Sequence, residues 1–158
     1  MNSQKKELVI ISGGQTGVDR AALDFALHNN MICRGWRPLG RQAEDGPIQT
    51  LYPLDQTFSS DPKVRTEMNV IDSDATLIIV ISEMDQGTQF THDIARFNNK
   101  PVFIWEIERN RNFQQFKNWL IYNRVSVLNI AGPRESFAPG IYNETLNLLE
   151  ELIGDFKL

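Results

Sequence analysis

The chain is short of the residues that would mark it for several common roles. Of its 158 residues only one, Cys33, is a cysteine. A lone thiol excludes an internal disulfide and a multi-cysteine zinc site. It fits a reducing compartment, so a cytoplasmic protein is expected. Positive charge is also scarce. Sixteen Lys and Arg face twenty Asp and Glu, a net charge of −4. Domains that grip phosphate backbones carry a basic face or stripe, so no nucleic-acid partner is expected. Long apolar runs are missing as well. The strongest stretch, Leu77 to Ile81, is far short of the roughly 20 residues a membrane helix needs. The first twelve residues hold two lysines but no long apolar region and no small-residue cleavage site. Neither a membrane span nor a signal peptide is expected. Repeats and low-complexity tracts are absent, and a 41% hydrophobic content is enough for a core.

What is present is an alternation of two periods. Leu8 to Ile11 is a short β-branched run that stops at Ser12-Gly13-Gly14 and reads as a buried strand. Val18, Ala21, Ala22, Phe25 and Ala26 follow helical spacing, with Asn29-Asn30 as the stop. Ile32 to Trp36 reads as a second strand, interrupted by Arg34 and Gly35. Arg37 to Asp61 has no clear period, which marks a functional loop or a missed element. Asp61 then caps a helix beginning at Pro62, with Val64, Met68 and Ile71 on one face. Ala75 to Ile81 is the clearest strand. Gly87-Thr88 opens another helix, with Phe90, Ile94 and Phe97 on one face. Pro101 to Ile107 and Val125 to Ile130 read as strands. Phe113, Phe116 and Leu120 mark a helix between them. Ile141, Thr145, Leu148, Leu149 and Leu152 make the last helix.

Such alternation implies a mostly parallel sheet of about five strands with helices on both faces. The expected fold is a Rossmann-like three-layer α/β sandwich, with residues 1–158 as one domain. If the first and third strands lie side by side, their carboxyl-end loops meet at a topological switch point, where such folds bind ligands.

Two loops have the make-up of anion sites. Gly13, Gly14, Gln15, Thr16 and Gly17 lie between the first strand and first helix. Glycines let the backbone turn and approach a ligand, and the helix that follows offers unpaired N–H groups and a positive dipole end. The spacing is neither G-x-G-x-x-G nor a P-loop. The competing reading is a tight turn with no ligand. Ser82 to Thr88 repeats the design after the strongest strand. There Ser82, Gly87 and Thr88 are the candidate contacts, against simple helix capping.

The stretch Ser12 to Ala22 (SGGQTGVDRAA) resembles the start of the "putative molybdenum carrier" family, the circularly permuted YpsA branch of the SLOG superfamily. Gly35 to Pro38, Gly40 to Ile48, Arg65 to Val70, Asp72 to Leu77, Gly87-Thr88 and Leu128 to Ser136 match as well. The resemblance covers nearly the whole chain. It implies a Rossmann-like fold, a nucleotide or nucleotide-derived ligand, and a homodimer. Molybdenum cofactor is the other ligand it implies. Related LOG enzymes, which release a base from a nucleoside monophosphate, carry a motif like P-G-G-x-G-T-x-x-E. Here Thr91 stands where that glutamate would. A threonine supplies no carboxylate to stabilise an oxocarbenium-like centre or to activate water.

The remaining charges divide between ligand contact and ordinary surface. Asp19 favours a helix N-terminus by itself, whereas Arg20 sits against the dipole there and calls for a carboxylate or a ligand. Arg41 offers a planar fork to a phosphate. Glu44 and Asp45 suit ribose hydroxyls, a metal or acid/base work, or are solvated loop charges. Arg134 follows the last strand, at the expected ligand face. Arg65, Glu67 and Asn69 read as a polar helix face. His28 and His92 belong to no metal pattern, and no metal site is expected. Cys33, Trp105 and Trp119 read as core, and Trp36 as core or a stacking platform. Two functions follow. One is a binding protein that holds a phosphate at glycine-bearing helix N-termini, with the 37–61 segment closing over it. The other is a nucleotide or N-glycosidic-bond hydrolase with Asp19, Glu44 or Asp45 as its carboxylates.

Overall fold

The computed structural model describes residues 7–156. The first six residues, half of the stretch read above for a leader, lie outside them. The central sheet contains β1 (Val9–Ile11), β2 (Cys33–Arg34), β7 (Ala75–Val80), β8 (Val102–Glu106) and β9 (Val127–Ala131). Its order is β2-β1-β9-β7-β8, and every neighbouring pair is parallel. Strand β7 (ATLIIV) is buried at all six positions. A strand packed on both faces needs apolar side chains on both, and each fully buried Leu or Ile contributes about 1.5–3 kcal/mol.

The helices are α1 (Val18–His28), α2 (Pro62–Ile71), α3 (Gln86–Phe97), α4 (Phe113–Tyr122) and α5 (Ile141–Ile153). Helices α1 and α5 pack together, α4 packs against α5, and α2 against α3. The pleat of β8 separates the two layers. Phe103 and Trp105 meet Phe113, Phe116 and Trp119 of α4, while Val102 and Ile104 line a groove with His92 and Arg96 of α3. Both faces of the sheet are therefore covered, as the alternation predicts.

The strand order has a simple history in it. Counted from β9 instead of β1, it becomes 3-2-1-4-5, the order of the first five strands of a Rossmann sheet. The last strand and helix thus occupy the place of a first strand and helix. One consequence corrects the expected neighbours: β9 lies between β1 and β7, the first and third long strands, and pairs with both.

Three further expectations change. The second strand breaks at Gly35. Cys33–Arg34 joins the main sheet, while β3 (Trp36–Arg37) pairs instead with β6 (Asp55–Gln56). A Cβ on Gly35 would overlap the Ser12 carbonyl oxygen, so only glycine fits between these strands. The 37–61 segment holds missed elements: β6, and the hairpin β4 (Gln42–Ala43) with β5 (Gly46–Pro47). Its Ile48, Tyr52 and Leu54 are buried in the main core. The inward faces of α2 and α3 are also rotated from the expected apolar stripes. Asn69 and Val70 are buried on α2, and Thr88, Thr91 and Ala95 on α3. Ile71 and Phe97 are exposed, Phe97 at 83%. Small residues let α3 approach the sheet closely, and the larger ones point aside.

Candidate functional site

At the carboxyl ends of β1, β9 and β7 the loops enclose an open cleft of about 570 Å³. Its walls come from Gly13 and Gln15 after β1, Asn129 to Gly132 and Arg134 at and after β9, and Asp85 to Thr88 at the start of α3. The first turn of α2 and its Arg65, Thr66 and Asn69 close the far side. The volume falls within the roughly 300–1,000 Å³ of small-molecule pockets. The switch point of the sheet lies between β9 and β7, so the cleft sits where an open α/β sheet places its ligand.

Two helix N-termini face it. Asp61 caps α2, accepting from the Lys63 N–H at 2.9 Å. Asp85 caps α3, its Oδ1 accepting from the Thr88 N–H at 2.8 Å and the Thr88 hydroxyl at 2.6 Å. Gly87 is exposed there. A Cβ on it would find only the Asp85 carboxylate, at 3.8 Å. Lys63 lies over the ring of Phe90, 5.5 Å from its centroid, a cation–π contact on the cleft wall.

The deepest charge is Asp19, in the first turn of α1 and only 6% exposed. Its Oδ2 takes the Arg65 Nη1 at 2.7 Å and the Gln15 N–H at 3.4 Å. Burial pushes its carboxyl above the ordinary range; Arg65 pulls it back, and Asp85 nearby adds to the rise. Arg65 lies across Gly13 so closely that a Cβ there would overlap its Nη1. Gly13 thus makes room for a guanidinium on the cleft wall.

The rest of the first loop is turned toward the protein itself. A Cβ on Gly14 would lie 2.8 Å from Leu54 and 3.2 Å from Ile48. One on Gly17 would overlap the Pro133 carbonyl and lie 2.8 Å from the Glu135 nitrogen. Three backbone donors of the loop and of the first position of α1 are turned inward. Gln15 N–H goes to Asp19, Thr16 N–H to the Gln15 side chain at 3.0 Å, and Val18 N–H to Pro133 at 3.3 Å.

The 37–61 segment packs over this loop rather than over the cleft, to which it brings only Asp61. Glu44 accepts from the Thr16 and Ser136 hydroxyls and from the Ser136 N–H at 3.1 Å, with Arg134 Nε at 3.9 Å. Arg20 holds Asp45 through both terminal nitrogens, at 3.0 and 3.2 Å, and donates to the Gly14 carbonyl. Asp24 accepts from the Tyr52 hydroxyl at 2.7 Å and the Tyr142 hydroxyl at 2.6 Å.

Of the residues expected to touch a ligand, Gly13, Gln15, Gly87, Thr88 and Arg134 line the cleft. Gly14, Thr16, Gly17, Arg20, Arg41 and Ser82 do not. Among the three candidate carboxylates Asp19 lines it and Glu44 and Asp45 do not. Thr91 also lines it, its hydroxyl donating to the Gly87 carbonyl at 3.1 Å. Arg65 and Asn69, read above as a polar helix face, belong to the cleft wall. Their four-residue spacing places both on one side of α2, the available signal. Asn69 also holds β3, accepting from the Trp36 N–H at 2.7 Å. The Trp36 indole donates to Asp72 at 2.7 Å and lies away from the cleft. Among the described residues no group of three or more His, Cys, Asp and Glu could hold a metal ion. None of their helices is long and apolar enough to cross a membrane.

A parallel sheet in Rossmann order with a cleft at its switch point defines the class: a Rossmann-like α/β protein. Within that class residues 10–153 match the model of the circularly permutated YpsA SLOG family, and the chain belongs to that family. It is also similar to a solved structure, a "putative molybdenum carrier protein" from Syntrophus aciditrophicus SB. The two are 41% identical, with a TM-score of 0.89, over 94% of this chain and 96% of that one. No curated protein matches the chain.

Proposed function

We propose that the chain is a small-molecule binding protein for a nucleotide or nucleotide-derived ligand. Its phosphate sits at the start of α3, beside Gly87 and Thr88, with Arg65, Lys63 and Arg134 around it. The observation that carries this reading is the open helix N-terminus at Gly87, facing a cleft with three cationic side chains. Unpaired N–H groups and the dipole favour an anion there. At α1 the Pro133–Glu135 backbone lies against Gly17, and neither Gly17 nor Val18 lines the cleft, whereas Gln86, Gly87 and Thr88 all do; the phosphate is therefore assigned to α3. The similar structure carries the description "putative molybdenum carrier protein", and a phosphorylated pterin would use the same cleft chemistry.

The test is a thermal-shift screen of the purified protein with nucleoside monophosphates, ADP-ribose and a pterin phosphate. A ligand at a hundred times its Kd adds about 2.7 kcal/mol of apparent stability. A dose-dependent shift names the ligand class, and no shift across the panel refutes the reading.

Hydrolysis is the second reading, favoured by one observation: Asp19 is a buried carboxyl on the cleft wall with its proton affinity raised. It predicts release of free base from a nucleoside monophosphate, lost in Asp19→Asn. An absence of turnover with every nucleotide that binds removes it.

A further inference from the structure

We propose that Arg65 is the anion anchor of the cleft and that Asp19 is its exchangeable counter-ion. An incoming phosphate-type oxyanion takes over the guanidinium, and Asp19 takes up one proton from solvent as the ligand binds. The proposal rests on the reading of the cleft as an oxyanion site and adds a partner and a proton to it.

Three observations carry it. First, Arg65 has a built seat. It lies on Gly13, where any side chain would collide with its Nη1, and both residues line the cleft. Second, its hydrogen bonding is incomplete: among the described residues only its Nη1 has a partner. A guanidinium presents five donors in a planar fork suited to a tetrahedral oxyanion, and Asp19 engages only Nη1, at 2.7 Å. Third, the counter-ion is nearly sealed, the Asp19 side chain being 8% exposed. Water does little to screen it, so its charge is tolerated largely because Arg65 is beside it.

An oxyanion at Arg65 changes that balance. It shares the cation and sets a second negative charge close to Asp19. The other charged groups on the same walls are Lys63 and Asp61 at the start of α2, Asp85 at the cap of α3, and Arg134 after β9. On α1 itself Arg20 is committed to Asp45 and the Gly14 carbonyl. Asp85 opposes a charged Asp19. Neutralising Asp19 with a proton removes the conflict and releases Nη1 to the ligand. The bare ligand site and the loaded one then differ by one proton on one named oxygen pair.

The experiment is isothermal titration calorimetry of the full chain with ADP-ribose and with inorganic sulfate. Neither changes its anionic charge between about pH 5 and pH 8, so any linked proton comes to the protein. Each titration is run in two buffers of different ionisation enthalpy. The expected result is a buffer-dependent enthalpy that reports proton uptake, and a Kd that weakens by up to about tenfold per pH unit on the alkaline side. In Asp19→Asn both dependences vanish while binding persists. In Arg65→Gln binding is lost, and Arg65→Lys recovers part of it. Binding of ADP-ribose with no proton uptake and a flat Kd overturns the inference and leaves the proposed function standing. Sulfate binding with proton uptake, without ADP-ribose, supports the inference and refutes the nucleotide reading. If neither probe binds, the anchor is refuted even where the screen finds another ligand. If Asp19→Asn does not fold, the buffer dependence of the wild-type protein decides alone.

Discussion

Replacing two glycines, each at a helix N-terminus beside the sheet, separates packing from binding. Gly17 precedes α1 with φ 76° and ψ −129°, a region that is almost glycine-only. A side chain there costs about 1–3 kcal/mol of backbone strain. Its Cβ would also press on backbone, overlapping the Pro133 carbonyl and lying 2.8 Å from the Glu135 nitrogen and 2.9 Å from the Arg134 carbonyl carbon. Moving backbone adds about another 1–3 kcal/mol. Gly17→Ala should therefore lose about 2–6 kcal/mol, a large part of the 5–15 kcal/mol of a typical domain. Gly87 is the opposite case. It lies in the first turn of α3, and nothing but the Asp85 carboxylate is near its missing Cβ. Gly87→Ala should gain about 0.4–1 kcal/mol through the unfolded chain and lose ligand-induced stabilisation, because the methyl stands where the phosphate approaches. Urea denaturation gives both numbers, provided the m-value is unchanged. A thermal shift with the ligand found by screening gives the binding. A Gly17→Ala protein as stable as wild type would refute the packing argument. A Gly87→Ala protein that binds as before would refute the assignment of the phosphate to α3.

Three further outcomes follow from the 37–61 segment and the core. Burial opposes ionisation of Glu44, but the Ser136 and Thr16 hydrogen bonds outweigh it and hold the carboxyl below the usual range. Its stabilisation is present above the unfolded carboxylate value of about 4.3 and is lost as the pH falls through the lower folded value. Hydrogen exchange should show residues 42–48 losing protection in that acid range before the sheet does. Where Tyr52 of that segment and Tyr142 of α5 meet at Asp24, burial and the bond to Asp24 push the Tyr142 hydroxyl up to about 12, and Tyr52 well above the usual phenol range. Ultraviolet titration should find both phenols neutral through pH 10–11, and Tyr52→Phe should cost about 1 kcal/mol. Burial also pushes up the Cys33 thiol, which is 7% exposed. A thiol reagent at pH 8 should leave it unmodified until urea unfolds the chain, and fast labelling of the native protein would contradict its place in the core.

The elements were legible because their signals are local. A six-residue apolar run has few alternatives to a buried strand, and the Asp61-Pro62 pair gives both a cap and a first turn to α2. The layers were legible for the same reason, since strand–helix alternation fixes them without strand order. What escaped was set by distant partners. The second strand ends at Gly35 because Ser12 lies against it, and nothing within the segment reports that contact. The hairpin of β4 and β5 is two residues a side, too short for a period to show. On α3 the aromatic spacing pointed to the wrong face, because the sheet prefers Thr88, Thr91 and Ala95 against it. Arg65 was passed over because its charge has no partner on its own helix; Asp19, 46 positions earlier, supplies one.

The permuted chain order explains why the glycines were the hardest residues to interpret. Strand β9 arrives last and takes the central place between β1 and β7, so its loop must seat between theirs. Gly132 occupies that crossing: a Cβ would overlap the Ile79 carbonyl and press on Val18. Gly17 fits against the same returning segment, and Ser12 fastens it by donating to the Ile130 carbonyl at 2.8 Å. Glycine at these positions relieves chain against chain. The same residue type at Gly87 meets open space, and that difference cannot be read from a G-G-x-x-G string. It is visible only in what the absent side chain would touch. A glycine loop before a helix is therefore evidence of close approach, and the packing decides whether the approaching group is a phosphate or another part of the same chain.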